Sequence, residues 1–335
     1  MKAELLWFSN DPERLIALAM RRCYTTKVWE LLQEDVSTPG YKEYLTRSAF
    51  RRLEFDVFEH VRLLFRAEAT PTEMLHVVQR HPFVSSTEFG KGQHLLSMNL
   101  RTLTEMGRRL HCDGSDCSEL VRVLPDVSPT VSACIASPPG DEVFDGEKPS
   151  SSGRSDSDLR VVVVQHLPST WISGRLGMDL PLDVLLRHSM MTAEVEGISR
   201  ACSHQLVRHR MFSYSQESQR FSDAVNEGVV VPPSLKGTEA RRTFEGHIEA
   251  SRRAYSELRR MGIKKEDARF VLPLAVKTKV LLTGSLWQVC HASFYRSSFS
   301  DVGAKAQWEI NRLFTTLYQD LKSADPALPE KIQET

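Results

Sequence analysis

Residues 124–158 constrain the architecture of this chain most, because they contain SPPGDEVFDGEKPSSSGRSDSD, a run with too few large apolar side chains to offset the entropy of ordering it. A linker or insertion there divides the 335 residues into two stretches, together long enough to bury a substantial core without disulfide staples. The expected division is an N-terminal region at 1–123, a flexible linker or insertion at 124–158, a core carrying the chemistry at 159–322, and a C-terminal tail at 323–335.

Apolar periodicity sketches the elements on either side. Pro12 and Glu13 open a helix whose Leu15, Ile16, Leu18, Ala19 and Cys23 share a buried face. Residues 159–166, all valine in the middle, read as a buried strand, and 190–195 as a second. From 198 to 210 the pattern turns helical, with Ile198, Cys202 and Leu206 on one face and Arg200, His204 and Arg208 on the other. Helices are also predicted over 243–261, with Phe244, Ile248, Tyr255 and Leu258 inward, and over 307–321, where Ile310, Leu313, Phe314, Leu317, Tyr318 and Leu321 form one core-facing stripe.

Charge narrows the function classes. With 43 Lys and Arg against 43 Asp and Glu, the chain has no global attraction for polyanions, and it lacks the interleaved aromatic and basic residues of a nucleic-acid surface. No apolar run approaches the ~18 residues of a membrane helix. The opening MKAELLWFSND is interrupted by Glu4, Asn10 and Asp11, so a cytoplasmic location is expected. The cysteines are scattered; His111-Cys112-x4-Cys117 lacks the second ligand pair of a metal site, and none is expected.

The densest polar cluster is RACSHQLVRHRMFSYSQESQRF, residues 200–221, in which Arg200, His204, Arg208, His209, Arg210 and Arg220 face one acid, Glu217. A basic island in a neutral protein suits a phosphate-bearing small molecule. The hydroxyl-rich 213–218 has no regular apolar spacing and reads as a loop able to ring a phosphate or a planar heterocycle. The plain alternative is a solvated basic helix end, where each cation near the C-terminus gains ~0.3–1 kcal/mol from the dipole.

Arg208-His209-Arg210, seven residues, then Ser218 resembles the signature of the flavin-dependent thymidylate synthases, the ThyX family. The likeness extends upstream through Glu196 to Val207 and downstream to Phe221, to Ala268-Arg269-Phe270-Val271-Leu272-Pro273, to Ala306-Gln307-Trp308-Glu309-Ile310, and to Arg22-Cys23-Tyr24, covering most of 1–65 and 180–322. The resemblance implies an α+β, ThyX-like fold, a twisted β-sheet packed with helices, and reductive methylation of dUMP to dTMP. Methylenetetrahydrofolate would give the carbon, FADH2 the hydride, and NADPH would reduce the flavin. It also implies a homotetramer with sites built from several subunits. By position, Arg208, His209, Arg210 and Gln216 would contact FAD. Gln205, Arg208, Gln216, Glu217, Ser218, Gln219, Arg220, Arg269 and Arg296 would hold dUMP. Arg296 and Ser218 would stand at the reacting centre, Arg296 stabilising uracil deprotonated at N3 and Ser218 acting as a binding hydroxyl, since no base stands beside it.

Three departures stand out. About five extra residues follow Arg296, so counting back from Ala306 puts Asp301 at the activating position. Ser285-Leu286-Trp287 replaces the family's flavin-contacting N-x-R, and Arg187 stands where the family has Glu. Both lost features have echoes upstream: Phe58-Glu59-His60 and Asn99-Leu100-Arg101, with Arg80-His81-Pro82 faintly matching the basic triplet. A degenerate repeat at 55–110 would lend Glu59, Asn99 and Arg101 to the flavin. A homologue that binds flavin or nucleotide without turnover is the alternative reading.

Overall fold

The computed structural model describes residues 1–113, 117–140, 158–222, 225 and 227–333, apart from the side chains of 110–113. The first half runs β1 (Lys2–Phe8), α1 (Pro12–Tyr24), α2 (Trp29–Val36), α3 (Tyr41–Arg52), β2 (Arg62–Glu68), α4 (Pro71–Arg80), β3 (Ser85–Gly90), β4 (Gln93–Asn99), α5 (Leu100–Asp113), α6 (Ser118–Val121), α7 (Leu124–Val127) and α8 (Pro129–Ala136). The second runs β5 (Arg160–Leu167), α9 (Ser169–Leu176), α10 (Leu182–His188), β6 (Met190–Ser199), α11 (Arg200–Leu206), β7 (Ser213–Gln216), α12 (Ala240–Arg260), α13 (Lys265–Ala268), β8 (Lys277–Ser285), α14 (Leu286–Arg296) and α15 (Trp308–Ala324).

Local chemistry sets these boundaries. Asp11 caps α1 by accepting from the Arg14 N–H, with Pro12 in the first turn where its missing donor costs nothing. Thr70 and Glu73 close a capping box on α4, and Ser285 and Gln288 close one on α14. β6 is buried along its whole length, which is why 190–199 lacks a polar face.

The α+β class holds, but the strands form two four-stranded sheets rather than one. Their orders are β1-β2-β4-β3 and β5-β6-β8-β7, with every pairing antiparallel. The two sheets repeat one plan down to the irregularities. Leu5 faces Phe65 and Trp7 faces Leu64 around a bulge at Leu6, while Val163 faces Ala193 and Gln165 faces Thr192 around a bulge at Val164. Arg62 opposite Asn99 corresponds to Met190 opposite Ser285, and Ser85 opposite Ser97 to Ser213 opposite Thr283.

The sheets meet through a reciprocal pair of histidines. His60, just ahead of β2, reaches Thr283 Oγ1 at 2.8 Å and Ser215 Oγ at 3.0 Å on the second sheet. His188, ahead of β6, reaches Ser97 Oγ at 3.1 Å and Thr87 Oγ1 at 2.9 Å on the first. Each ring uses both nitrogens, so a neutral imidazole donates one bond and accepts the other while the hydroxyls rotate to suit. A shared apolar cluster of Leu64, Leu95, Leu167, Ile172, Leu185 and Met190 also joins the halves.

Three expectations about the chain's organisation are corrected. Residues 124–136 are not linker: α7 and α8 bury Leu124, Val127, Val131 and Cys134, and Glu13 accepts from Ser128 Oγ and Thr130 N at 2.9 Å each. Prolines at both helix starts disguise the apolar spacing there. The rest of the proposed linker, 141–157, lies outside the described residues, as does the side chain of Cys112. Residues 323–333 are not a free tail either, since Leu328 and Ile332 are buried and Asp325 accepts from Ser169 N at 2.7 Å. The expected helix over 198–210 begins at Arg200 because β6 runs on to Ser199, whose hydroxyl caps α11 by accepting from Cys202 N at 3.0 Å. No helix among the described residues is long and apolar enough to cross a membrane.

The histidine seam has a pH signature. Burial, and then the charge of Arg62, holds His60 down at about 3, far below an ordinary imidazole. A depressed folded-state value means that this stability is complete above about pH 6.5 and is lost as pH falls toward 3. By chemical denaturation, the stability lost between about pH 7.5 and pH 5 should be smaller in His60→Gln than in wild type by about 2 kcal/mol. Equal losses would show that His60 is not held neutral.

Candidate functional site

The basic triplet sits in the turn after α11, and its placement starts one element away. Glu309, in the first turn of α15, accepts from Ser199 N at 2.6 Å and Ser199 Oγ at 2.7 Å, fixing the cap of α11. Tyr214 Oη donates to the carbonyls of Leu206 and His209 at 2.7 and 2.8 Å, holding the turn that carries Arg208, His209 and Arg210. Phe212 packs so closely on β8 that a Cβ added to Gly284 would lie 2.3 Å from its ring. The result leaves Arg208 and Arg210 exposed and His209 half-buried.

Arg296, the last residue of α14, comes to the same place. His209 is pushed down to about 4 by burial first and then by the positive charges of Arg296 and His291. His209 Nε2 and Arg296 Nε are both buried polar atoms without a hydrogen-bond partner. Unpartnered polar atoms are costly inside a protein, so these two, one in the turn after α11 and one at the end of α14, mark a candidate ligand site. The extra residues after Arg296 fold back on its helix: a Cβ at Gly303 would lie 2.4 Å from Ser297 O, and Asn311 Nδ2 donates to Gly303 O at 2.9 Å. Asp301 is exposed in that segment, so the forward register with Arg296 is the one brought beside His209.

The hydroxyl-rich segment 213–216 is an edge strand rather than a loop, and its burial alternates. Ser213, Ser215 and Glu217 turn inward, whereas Tyr214, Gln216 and Ser218 are partly accessible. Gln216 Nε2 donates to Ser203 Oγ at 2.9 Å and Thr278 Oγ1 at 3.3 Å, tying β7 to α11 and β8. The Glu217 carboxylate lies 3.4 Å from the buried ammonium of Lys279, which draws that side chain inward. Arg220 is exposed, with its guanidinium over the Phe221 ring at 5.2 Å. Gln205, Gln219 and Arg269 are half-buried, and Arg269 Nε donates to Glu266 O at 3.0 Å.

The first half reaches this segment directly. Cys23 O accepts from Ser218 N at 3.0 Å, and the Tyr24 ring packs on Phe221 with centroids 4.6 Å apart. Glu59 accepts from Ser213 Oγ at 2.9 Å and pairs with Arg101 at 2.8 Å, while Arg101 also pairs with Glu105 at 2.9 Å. Asn99 is 2% exposed and its amide oxygen caps α5, accepting from Thr102 N at 2.9 Å, so that oxygen is committed to the helix. By the common register of the sheets, Asn99-Leu100-Arg101 occupies the place of Ser285-Leu286-Trp287, and Glu59 that of Arg187. There the ion pair is replaced by a stack, with the Arg187 guanidinium 4.6 Å from the Trp287 ring centre.

A match to the family described as thymidylate synthase complementing protein covers residues 4–91 and 179–327. The chain is 42% identical over 154 residues to the flavin-dependent thymidylate synthase of Geobacter sulfurreducens, a stretch covering 45% of this chain and 64% of that protein. It is 36% identical over 172 residues to the protein of the same name in Pyrococcus furiosus, covering 50% and 66%, and 33% identical over 180 residues to that of Thermococcus kodakarensis, covering 52% and 67%. The matched stretch thus spans just under two thirds of the first two relatives. Taken with a match over most of its length, the basic turn and the arginine beside it place this chain in the thymidylate synthase complementing protein family.

Proposed function

We propose that the chain is a flavin-dependent thymidylate synthase, a methyltransferase of dTMP biosynthesis that converts dUMP to dTMP with methylenetetrahydrofolate as carbon donor and NADPH as reductant. The observation that carries this reading is that His209 and Arg296, whose charge acts on that imidazole, each bury an unpartnered nitrogen, Nε2 and Nε, next to the exposed Arg208 and Arg210 of the basic triplet. The residues fit FAD: Arg208 and Arg210 offer forked donors to phosphate and ring acceptors, and the neutral His209 offers a ring face and one N–H. Glu59 and Arg101 stand at the Ser213 end of the same edge strand. Bound FAD would supply the hydride.

The chain's own residues bind and polarise. Gln205, Gln216, Ser218, Gln219, Arg220 and Arg269 surround the nucleotide position, with Arg220 and backbone N–H groups for phosphate. Each charge-assisted contact is worth about 1.5–3 kcal/mol, enough to discriminate nucleotide from nucleoside. Arg296 stabilises negative charge developing on the pyrimidine at N3, and guanidinium suits the task because it stays charged at any working pH and forks onto two atoms. Ser218 serves as a binding hydroxyl: its Oγ accepts from Arg220 N at 3.3 Å. Assembly as a cytoplasmic homotetramer belongs to the same proposal. The exposed apolar side chains of Met261, Phe270 and Leu274, at 65, 83 and 55%, are ones that a subunit interface would cover.

Purified protein should be yellow and should release tritium from carbon-5-labelled dUMP only with folate donor and NADPH. In Arg296→Ala, kcat should fall by about 10²–10³ while flavin absorbance is kept; undiminished tritium release would remove Arg296 from the reacting centre. Gly284→Ala forces Phe212 off β8 and disturbs the turn it ends, so FAD retention on gel filtration should drop although no flavin-contacting residue is changed. Wild-type retention would show that the turn does not depend on this close approach.

A further inference from the structure

A group of buried charges beneath the nucleotide segment has no part in the chemistry above. Lys279 in β8 is 1% exposed, and its ammonium lies 3.4 Å from Glu217 and 3.3 Å from Glu227. Arg22 enters from α1 of the first half, 2.7 Å from Glu194 and 3.7 Å from Glu196. Glu196 stands opposite Lys279 in the strand register and accepts from Trp29 N at 2.8 Å. Around this core, Arg200 donates to Glu217 O at 2.6 Å, Arg252 donates to Glu227 O at 2.8 Å, and Arg160 lies 4.0 Å from Glu196 at the half-exposed rim. Four buried carboxylates thus face two buried cations. Such an arrangement is retained for what it positions more readily than for stability, because desolvation consumes much of the Coulombic gain.

What it positions is visible in the backbone. Glu217 N donates to Lys279 O at 3.0 Å, and Lys277 N donates to Gly228 O at 2.9 Å, so the segment that leaves β7 at Glu217 returns to the same strand beside Glu227. The Lys279 ammonium bridges the side chains at the two ends. The first sheet has no counterpart, because there a short hairpin through Lys91 joins β3 to β4.

We infer that Lys279 is a positioning residue of the nucleotide site: by gripping Glu217 and Glu227 together it closes the base of the 217–227 excursion and presents Ser218, Gln219 and Arg220 in their binding arrangement before the nucleotide arrives. The inference rests on the nucleotide reading given above, and Lys279 acts through the excursion rather than on the substrate. Burial, and then the charge of Glu217, pushes the Glu227 carboxyl up to about 7, as expected where a single ammonium is shared by two acids.

The test compares wild type, Lys279→Arg, and Lys279→Met combined with Glu227→Gln, a pair that leaves net charge unchanged. Hydrogen exchange of nucleotide-free protein reads the segment directly. Amides of 217–222 should exchange about as slowly as those of β8 in wild type and Lys279→Arg, and at least about tenfold faster in the double variant. The double variant should raise the dUMP Kd and KM about tenfold or more, with kcat within about threefold of wild type, and Lys279→Arg should restore both. Unchanged exchange at 217–222 in a folded double variant, or KM and kcat falling together with melting temperature, overturns the inference. Should the double variant not fold, fast exchange of 217–222 in wild type overturns it equally. If exchange behaves as expected but wild type does not bind dUMP, the function reading fails while the brace stands.

Discussion

The structure depends on two neutral histidines exchanged between two sheets. His60 leaves the first half to bridge Thr283 and Ser215, and His188 leaves the second to bridge Ser97 and Thr87. Four hydroxyls and two imidazoles thereby satisfy one another away from water, where each unmade bond would cost about 1–3 kcal/mol. The partners occupy matching places in the two registers, Ser97 and Thr87 in the first sheet and Thr283 and Ser215 in the second, so the seam depends on the repeated plan. The functional segment hangs from this seam, with Ser215 bonded to His60 and Ser213 to Glu59 within one edge strand.

On this shared plan the two halves have diverged in complementary ways. The second half keeps the Arg208–Arg210 turn and opens the connection between β7 and β8 into a long excursion containing α12. The first half closes the same connection as a hairpin and has Pro82 where the second has Arg210. Conversely, the first half keeps Glu59 with Arg101, whereas the second has Arg187 stacked on Trp287. Each half therefore carries what the other lacks, and the two sets are linked where Ser213, three residues after Arg210, donates to Glu59.

The second half's candidate residues are legible in the sequence because they need only local spacing: the basic triplet, the serine seven residues after it, and Arg296 counted forward from Pro273. The core stripe of α15 was equally plain, since all six residues named for it are buried. The seam was hidden because it joins positions as distant as 60 and 283 through serines and threonines, which carry no distinctive pattern. The edge strand at 213–216 was hidden in the same way. The strand alternation that turns Ser213, Ser215 and Glu217 inward is carried by hydroxyl residues, where an apolar/polar count sees nothing. Lys279 gives no signal for a related reason: it alternates with Lys277 at the start of β8, a pattern that reads as a solvated strand end until its partners are seen. The helices at 124–136 are masked in the sequence because Pro125, Ser128 and Pro129, which start them, are also residues that linkers are made of.

The proposed function requires the two halves of one chain to build a single site across their seam. Titration of ligand-free protein with FAD and then dUMP, followed by calorimetry and flavin absorbance, tests it most directly. Saturation at one flavin and one nucleotide for each 335-residue chain, with FAD affinity reduced about tenfold or more in Glu59→Ala of the first half, is the predicted result. Two equivalent sites per chain, or flavin binding indifferent to Glu59, would contradict it.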